Sequence, residues 1–342
     1  MDITGNPKPE SEPVRIFDAA TGYSAVTNLL AAGDPDIHWI DNRWWMFFGA
    51  AHTDEKVNLF SATLPPGAPV TSTDWTITTD SADPARALPL IEHTESGRWN
   101  EWMHTPSYVR GTDPHTGATV ERVYYTASRA RTPYDGGMDR DLAIGVLERT
   151  ATGWIAQDEP LITGTPARPD VLEPKAGFWE GRWRIWYVTT PKEIDKGVQP
   201  DSRIEYVDSD DGLTDWSTPT VVLDDDLHHH DAVVTRTGDR YAMVVASAPN
   251  MYDDHGYPPQ GLWALTAGRP SGRRGDWSAE PKQILSGDSA PEWYAGAIYA
   301  PAAVEGDDGM LHVFFTAARK PDPEPYVLSI GRLDLPGGEL PA

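Results

Sequence analysis

Along most of the chain, short runs of aromatic and β-branched residues alternate with clusters of Gly, Asp, Asn and Pro. Apolar residues do not recur at the spacing of three and four that an amphipathic helix requires, whereas short apolar runs bounded by turn residues are typical of strands. The clearest of these runs cover residues 43–48, 122–125, 182–187, 240–245 and 311–315. The pattern therefore predicts an all-β protein.

Most of these aromatic runs are preceded by two residues that favour a tight turn. The pairs are Asp41-Asn42, Glu180-Gly181, Gly238-Asp239 and Asp308-Gly309. Because such pairs adopt positive φ readily, they join antiparallel strands into hairpins. The chain therefore predicts five hairpins, in each of which a first strand leads into an aromatic second strand.

A tryptophan follows the aromatic strand at a similar interval in four of the five units. These residues are Trp75, Trp154, Trp216 and Trp277. Aromatic residues at a fixed phase of a repeat usually pack between repeats, so we expect them in the core rather than in a ligand site. Units of this length predict a five-bladed β-propeller, with four-stranded antiparallel blades around a central funnel.

The repeats place the blades at about residues 33–75, 100–160, 170–222, 228–285 and 297–335. The fifth unit is short and lacks the tryptophan. Propellers commonly close with a strand from the other end of the chain, which removes a free sheet edge, and residues 14–17 have the composition for it. We therefore expect a flexible N-terminal segment over residues 1–13 and a single propeller domain over residues 14–342.

Composition limits the partners and the chemistry. The net charge of −24 repels nucleic acid and anionic membrane surfaces and favours a neutral substrate such as a carbohydrate. The absence of cysteine excludes disulfides, thiolate catalysis and cysteine-bound zinc. No apolar run approaches the roughly 18 residues of a membrane span, and the start lacks the features of a signal peptide. We expect a cytoplasmic protein, or a secreted one if a leader was removed; the sequence leaves the oligomeric state open.

Three acidic residues occupy the same position in three of the predicted blades. Counting back ten positions from the first aromatic residue of the second strand gives Asp34, Glu173 and Asp231 in blades one, three and four. Equivalent positions of a propeller are related by rotation about its axis, so these carboxyl groups should face one another across the funnel. Like charges in a confined site raise one pKa and leave another low, as the acid and the base of glycoside hydrolysis require.

The segment Asp34-Pro35-Asp36-Ile37, followed by its aromatic strand, resembles the Asp-Pro opening of family 43 glycoside hydrolases and of the related families 32, 62 and 117. The segment Trp102-Met103-His104-Thr105-Pro106 is a loose match to the Trp-Ala-Pro motif of family 43. The resemblance implies a five-bladed propeller that hydrolyses a glycoside, most readily a furanoside such as an arabinofuranoside, with Asp34 as the general base.

The acids of blades three and four are interchanged relative to family 43, which has Asp in blade three and the general acid Glu in blade four. Leu172-Glu173-Pro174 is similar to the motif that carries the acid. The resemblance therefore implies Glu173 as the acid and Asp231 as the residue that modulates its pKa. The interchange leaves two alternatives open, a sugar- or small-molecule-binding propeller without hydrolysis and a tailoring enzyme that uses the same funnel.

Further residues at the predicted mouth of the funnel are candidates for substrate binding, by stacking on sugar rings or by bonding hydroxyls. They are Trp102, His104, His229, His230, Glu292, Trp293 and Tyr299. Strand alternation predicts that His229 shares a side with Asp231. We expect no metal ligands and no required cofactor. The alternative is a calcium or other metal ion in the funnel. Some family 43 relatives hold calcium on the axis, and histidine beside carboxylates suits a metal.

Overall fold

The computed structural model describes residues 12–18, 26–53, 57–92, 94–129, 142–191, 201–247, 260–287, 290–319, 328–336 and 340. Within these residues, strands β1 to β20 form five four-stranded antiparallel sheets, arranged as a five-bladed β-propeller. The predicted all-β class and blade number are therefore confirmed. Among the described residues, no helix has the length and apolar character needed to cross a membrane. Residues 1–11 of the predicted N-terminal segment lie outside the described residues.

The blades follow one another along the chain, and each contributes four strands. Blade one contains β2 (Leu29–Ile40), β3 (Arg43–His52), β4 (Val57–Thr63) and β5 (Thr76–Ile77). Blade two contains β6 (Trp102–Thr112), β7 (Thr119–Ser128), β8 (Ala143–Thr150) and β9 (Gly153–Ala156). Blade three contains β10 (Asp170–Trp179), β11 (Arg182–Thr190), β12 (Arg203–Ser209) and β13 (Thr220–Leu223). Blade four contains β14 (His229–Thr237), β15 (Arg240–Ser247), β16 (Gly261–Ala267) and β17 (Lys282–Ser286). Blade five contains β18 (Ala297–Glu305), β19 (Met310–Ala318), β20 (Leu328–Pro336) and β1 (Val14–Asp18).

The fifth blade is completed by the N-terminal strand. β1 pairs antiparallel with β20, with Val14 opposite Arg332 and Asp18 opposite Ser329. This pairing covers an edge that blade five would otherwise leave free, as predicted. The first strand of each blade lies beside the axis and contacts the first strands of both neighbouring blades.

The predicted hairpin turns are present between the first and second strands. Asp41 and Asn42 have φ of 49° and 64°, and Glu180 and Gly181 have φ of 55° and 74°. Positive φ at both central residues is the geometry that matches the twist of a two-residue hairpin. These turns fix the register of the first strand against the aromatic strand.

Hydrophobic clusters fill the spaces between adjacent blades, and the repeated tryptophans lie in them. Trp75 packs edge-on against Phe314 of blade five, with 6.2 Å between ring centroids. Trp216 of blade three packs in the same way against Tyr124 of blade two, at 6.4 Å. Trp154 and Trp277 occupy the equivalent places against blades one and three. The packing role predicted for these tryptophans is confirmed.

Each axial strand carries a β-bulge near its middle, and this feature positions the site. The register shifts lie between Gly33 and Asp36 in β2 and at the corresponding places in the other four axial strands. At each bulge one residue has a positive φ; these residues are Asp34 (53°), Thr105 (50°), Glu173 (54°), Asp231 (50°) and Ala300 (48°). Such values are uncommon outside glycine, so their fivefold repetition marks an architectural feature of the axis.

Candidate active site

The structure brings Asp34, Glu173 and Asp231 together at the axial bulges. Carboxylate oxygens of Glu173 and Asp231 and a ring nitrogen of His230 all lie within 4.8 Å of one another. The charges of Asp231 and Asp34 both act on Glu173 and raise its pKa. The fixed offset from the hairpin turn therefore identified side chains that converge at the axis.

Burial and mutual repulsion raise the pKa values of two of these acids. Glu173 is 7% exposed and Asp231 is fully buried. Burial, reinforced by the charges of Asp231 and Asp34, raises the pKa of the Glu173 carboxyl well above its usual range. Burial and the charge of Asp231 raise the pKa of Asp34 to about 7, although Lys175, the Thr105 amide and the Thr316 hydroxyl act in the opposite direction. The site therefore retains protons at pH values where ordinary carboxyl groups have lost them.

One carboxylate oxygen of Asp231 accepts a backbone hydrogen bond, and the other faces His230. Its Oδ2 accepts a hydrogen bond of 2.7 Å from the backbone amide of Ala300, the bulge residue of blade five. Its Oδ1 lies 3.1 Å from Nε2 of His230. Within the described part of the chain, Oε2 of Glu173 is buried and has no hydrogen-bond partner. Buried polar atoms are normally paired, so this oxygen is where a shared proton or a substrate hydroxyl can bind.

Hydroxyl groups of neighbouring blades hold the two acids whose pKa values are raised. The Asp34 amide donates to Thr316 Oγ1 at 2.6 Å, and the Glu173 amide donates to Thr126 Oγ1 at 2.8 Å. Gly49 leaves room for the carboxylate, because a Cβ there would lie 3.2 Å from Asp34 Oδ2. The strained backbone at the acids is therefore fixed by contacts from adjacent strands.

We predict that Thr316→Val lowers the free energy of unfolding by about 1 kcal/mol, because it leaves the Asp34 amide without its acceptor. The measurement is the midpoint of urea unfolding. Thr316→Ser is the matched control, since it keeps the hydroxyl group and should retain most of the stability. An unfolding midpoint of Thr316→Val equal to that of the wild type would contradict this role of the hydroxyl.

Of the histidine run, His230 rather than His229 reaches Asp231. His229 is buried with its ring 5.9 Å from that of Trp263 on β16, and burial lowers its pKa to about 4. His230 is partly exposed and also places Nδ1 3.4 Å from Ser202 Oγ. The expectation from simple alternation was wrong because the bulge between His230 and Ala232 interrupts the alternation at that point.

Three of the predicted binding residues occupy one position of the repeat. His104, His230 and Tyr299 each directly precede the bulge residue in blades two, four and five, and each is partly exposed. Burial lowers the pKa of His104 to about 4, so its ring is neutral at physiological pH. Trp102 begins the same strand as His104 and is also partly exposed. These four residues therefore lie on the axial strands that carry the bulges, at or before the bulge residue.

Glu292 and Trp293 lie elsewhere. Glu292 pairs with Arg319, and Trp293 stacks on Phe315 with the Arg15 guanidinium 5.9 Å from its ring. Both line a cavity of about 410 Å³ against β1, the outermost strand of blade five. The prediction that these two residues line the funnel is therefore corrected. They lie in the connection from β17, the outermost strand of blade four, to β18, the innermost strand of blade five, and this connection passes the outer part of blade five.

Among the described residues, Glu173, His230 and Asp231 also form a group of donors that could hold a metal ion. Calcium takes six to eight oxygen ligands, whereas this group offers two carboxylates and one imidazole. These donors alone would leave most of a calcium shell to water, and the imidazole nitrogen is not one of the oxygen ligands that calcium prefers. Two carboxylates with an imidazole are instead a donor set of the kind used by zinc and similar divalent ions.

Comparison with known proteins supports the fold. No family model and no curated protein matches the chain. A thermostable family 43 glycoside hydrolase superposes with a TM-score of 0.61 and 17% identity over 88% of each chain. The catalytic domain of a family 62 α-L-arabinofuranosidase from Coprinopsis cinerea gives 0.57 and 11%, covering 90% of this chain and 91% of its own. A family 117 glycoside hydrolase from Zobellia galactanivorans gives 0.61 and 13%, covering 95% and 90%. The chain thus has the five-bladed propeller fold of these glycoside hydrolase families, and the resemblance noted in the sequence is confirmed at the level of the fold.

Proposed function

We propose that this protein is a glycoside hydrolase that cleaves its substrate by acid/base catalysis in the propeller funnel. The observation that carries the proposal is the convergence of three carboxyl groups at the axial bulges, where burial and the charge of Asp231 raise the pKa values of both Asp34 and Glu173. Glycoside hydrolysis needs one carboxylic acid that keeps its proton and one carboxylate that accepts a proton. The site supplies both.

Each acid has a distinct role in this mechanism. Glu173 protonates the leaving oxygen, because burial and two negative neighbours raise its pKa well above the usual range and so favour its protonated form. Asp34 has a pKa of about 7 and is the base that activates the attacking water. Asp231, fully buried beside Glu173, raises the pKa of the acid and is fixed by the Ala300 amide. This assignment follows the environments of the residues rather than the order of acids in family 43.

For the substrate we propose a neutral furanoside such as an arabinofuranoside. The net charge of −24 disfavours polyanionic substrates, and structural neighbours include α-L-arabinofuranosidases from Coprinopsis cinerea and Lactobacillus brevis. His104, His230 and Tyr299 are placed to bond sugar hydroxyls, and Trp102 to stack on a ring.

The proposal is tested with a panel of nitrophenyl glycosides that includes α-L-arabinofuranoside, assayed between pH 5 and pH 9. We expect hydrolysis of at least one furanoside, with kcat/KM rising as Asp34 ionises through its pKa of about 7 and falling as Glu173, whose pKa is raised well above the usual range, loses its proton. Calorimetric binding of oligosaccharides without turnover of any panel member would overturn the proposal and favour a binding propeller.

We also propose that hydrolysis needs no resident metal. Treatment with EDTA followed by desalting should leave kcat unchanged, because acid, base and modulator are all side chains. A metal-dependent enzyme would lose activity on chelation and regain it with zinc or manganese. That result would reassign Glu173, His230 and Asp231 as ligands.

A further inference from the structure

A buried lysine on the axial strand β10 lies near the acids of the funnel. Lys175 follows Glu173 by two residues on β10 and is 2% exposed. Its Nζ donates a hydrogen bond of 3.3 Å to the carbonyl oxygen of Pro35, the residue between Asp34 and Asp36. Among the described residues, the ammonium makes no ion pair within 4 Å. Its charge therefore acts on several acids, although within the described residues it forms an ion pair with none of them.

The neighbouring acid Asp36 has polar partners of its own. Its Oδ2 accepts a hydrogen bond of 2.6 Å from the Tyr108 amide and lies 2.7 Å from His38 Nε2. Burial acts to raise the pKa of Asp36, but these partners and Lys175 outweigh it and lower the pKa. The positive charge of Lys175 therefore acts on Asp36 as well as on acids of the funnel.

Charged groups of both signs lie near Lys175. Lys175 lines a cavity of about 410 Å³ together with Asp36, His38, Arg110, Arg236 and Glu305. Within the described part of the chain, the ion pair at the three acids is that of Asp231 with His230, at 3.1 Å. Lys175 therefore lies between this cavity and the acids on which its charge acts.

We propose that Lys175 is the shared counter-ion of Asp34 and Glu173, and a positioning residue that holds the Asp34-Pro35 bulge in place. A buried ammonium is costly unless negative charge compensates it, and a buried cluster of acids has the complementary need. In a site shielded from water, charges interact over longer distances than hydrogen bonds, so one ammonium can compensate several carboxylates. The inference rests on the proposed function in assigning these acids to catalysis.

The effect of Lys175 on the pKa values of two acids supports its role as a counter-ion. Lys175 lowers the pKa values of both Asp34 and Glu173, against burial and repulsion, which raise them. Without the ammonium both values rise further. Asp34 would then be protonated at neutral pH, and the base would be lost even though its carboxyl group remained.

The test is a double-mutant cycle on thermal stability, which needs no enzymatic activity. At pH 8, Lys175→Met should lower the Tm, and the loss should be smaller by about 2 °C or more when Asp34→Asn is already present, because fewer acids need compensation. At pH 5, where Asp34 is protonated, this coupling should disappear. Lys175→Gln removes the charge and keeps a donor for Pro35; it should show the same coupling and serves if Lys175→Met does not fold.

The control is Lys282→Met on the outermost strand β17, which removes an equal charge at an exposed residue and should be additive with Asp34→Asn. Additive effects of Lys175 and Asp34 at both pH values would overturn the proposal.

In an active enzyme, Lys175→Gln should also move the lower limb of the kcat/KM profile up by about one pH unit. If no glycoside is hydrolysed, the stability cycle still tests Lys175. Suppose that the protein hydrolyses a glycoside and that Asp34→Asn abolishes this activity, but that the double-mutant cycle is additive. Then only the counter-ion role of Lys175 is refuted, and the proposed function stands.

Discussion

Asp34→Asn is expected to lower kcat by about a thousandfold on every glycoside the protein hydrolyses, while the protein remains folded. An amide cannot accept the proton of the attacking water, so no choice of leaving group should restore the rate. The measurement is kcat against two substrates, one with a nitrophenol and one with an alcohol as leaving group. Wild-type rates in a folded Asp34→Asn variant would remove this residue from the mechanism.

The same variant should be more stable than the wild type above neutral pH. The folded pKa of Asp34 is about 7, above its unfolded value, so the folded state holds the proton more tightly and loses stability as pH rises toward and through 7. Removing the charge should therefore raise the free energy of unfolding by about 2 kcal/mol at pH 8 and by little at pH 4. Asp36→Asn is the matched control: because the pKa of Asp36 is lowered by its partners, that variant should lose stability at pH 8.

Glu173→Gln is expected to show a loss that depends on the leaving group. A substrate with an alcohol leaving group requires protonation, so its kcat should fall by about a thousandfold or more. A dinitrophenyl glycoside leaves without protonation, so its rate should fall far less. The ratio of the two rates is the measurement, and it separates an acid from a base.

Asp231→Asn tests the interchange of the acids directly. A modulator should affect both substrates moderately and displace the upper limb of the pH profile downward, because its negative charge raises the pKa of Glu173. Suppose instead that Asp231→Asn, and not Glu173→Gln, slowed the alcohol substrate strongly and left the rate on the dinitrophenyl substrate nearly unchanged. The roles of Glu173 and Asp231 would then be exchanged. Blade four would then carry the acid, as in family 43.

The sequence predicted the fold because each blade repeats the same local signals. Positive-φ pairs such as Asp41-Asn42 fix the hairpins, and the tryptophans fix the packing between blades. The three acids were found because these turns set a constant distance to the bulge in blades one, three and four. In blade two the hairpin loop is longer, so the same count from Tyr124 reaches Pro114 and misses Thr105.

The sequence carries one further signal of the bulge positions. Four of the five bulge residues directly precede proline, and this pairing would have located the remaining two; the prolines are Pro35, Pro106, Pro174 and Pro301. By contrast, the hydrogen bonds that the Glu173 and Asp34 amides donate to Thr126 and Thr316, and the place of Lys175, depend on which blades adjoin one another at the axis. The raised pKa values depend on burial and on distances between blades, which local sequence does not encode.

The most direct test of the central claim is a carbon-13 NMR titration of the side-chain carboxyl groups in the labelled protein. We expect two resonances with raised pKa values, one that titrates near pH 7 and is missing in Asp34→Asn, and one that titrates well above the usual range and is missing in Glu173→Gln; Asp34→Asn should lower the pKa of Glu173. Carboxyl groups at both positions that titrate near pH 4, with no effect of Asp34→Asn on Glu173, would contradict this expectation.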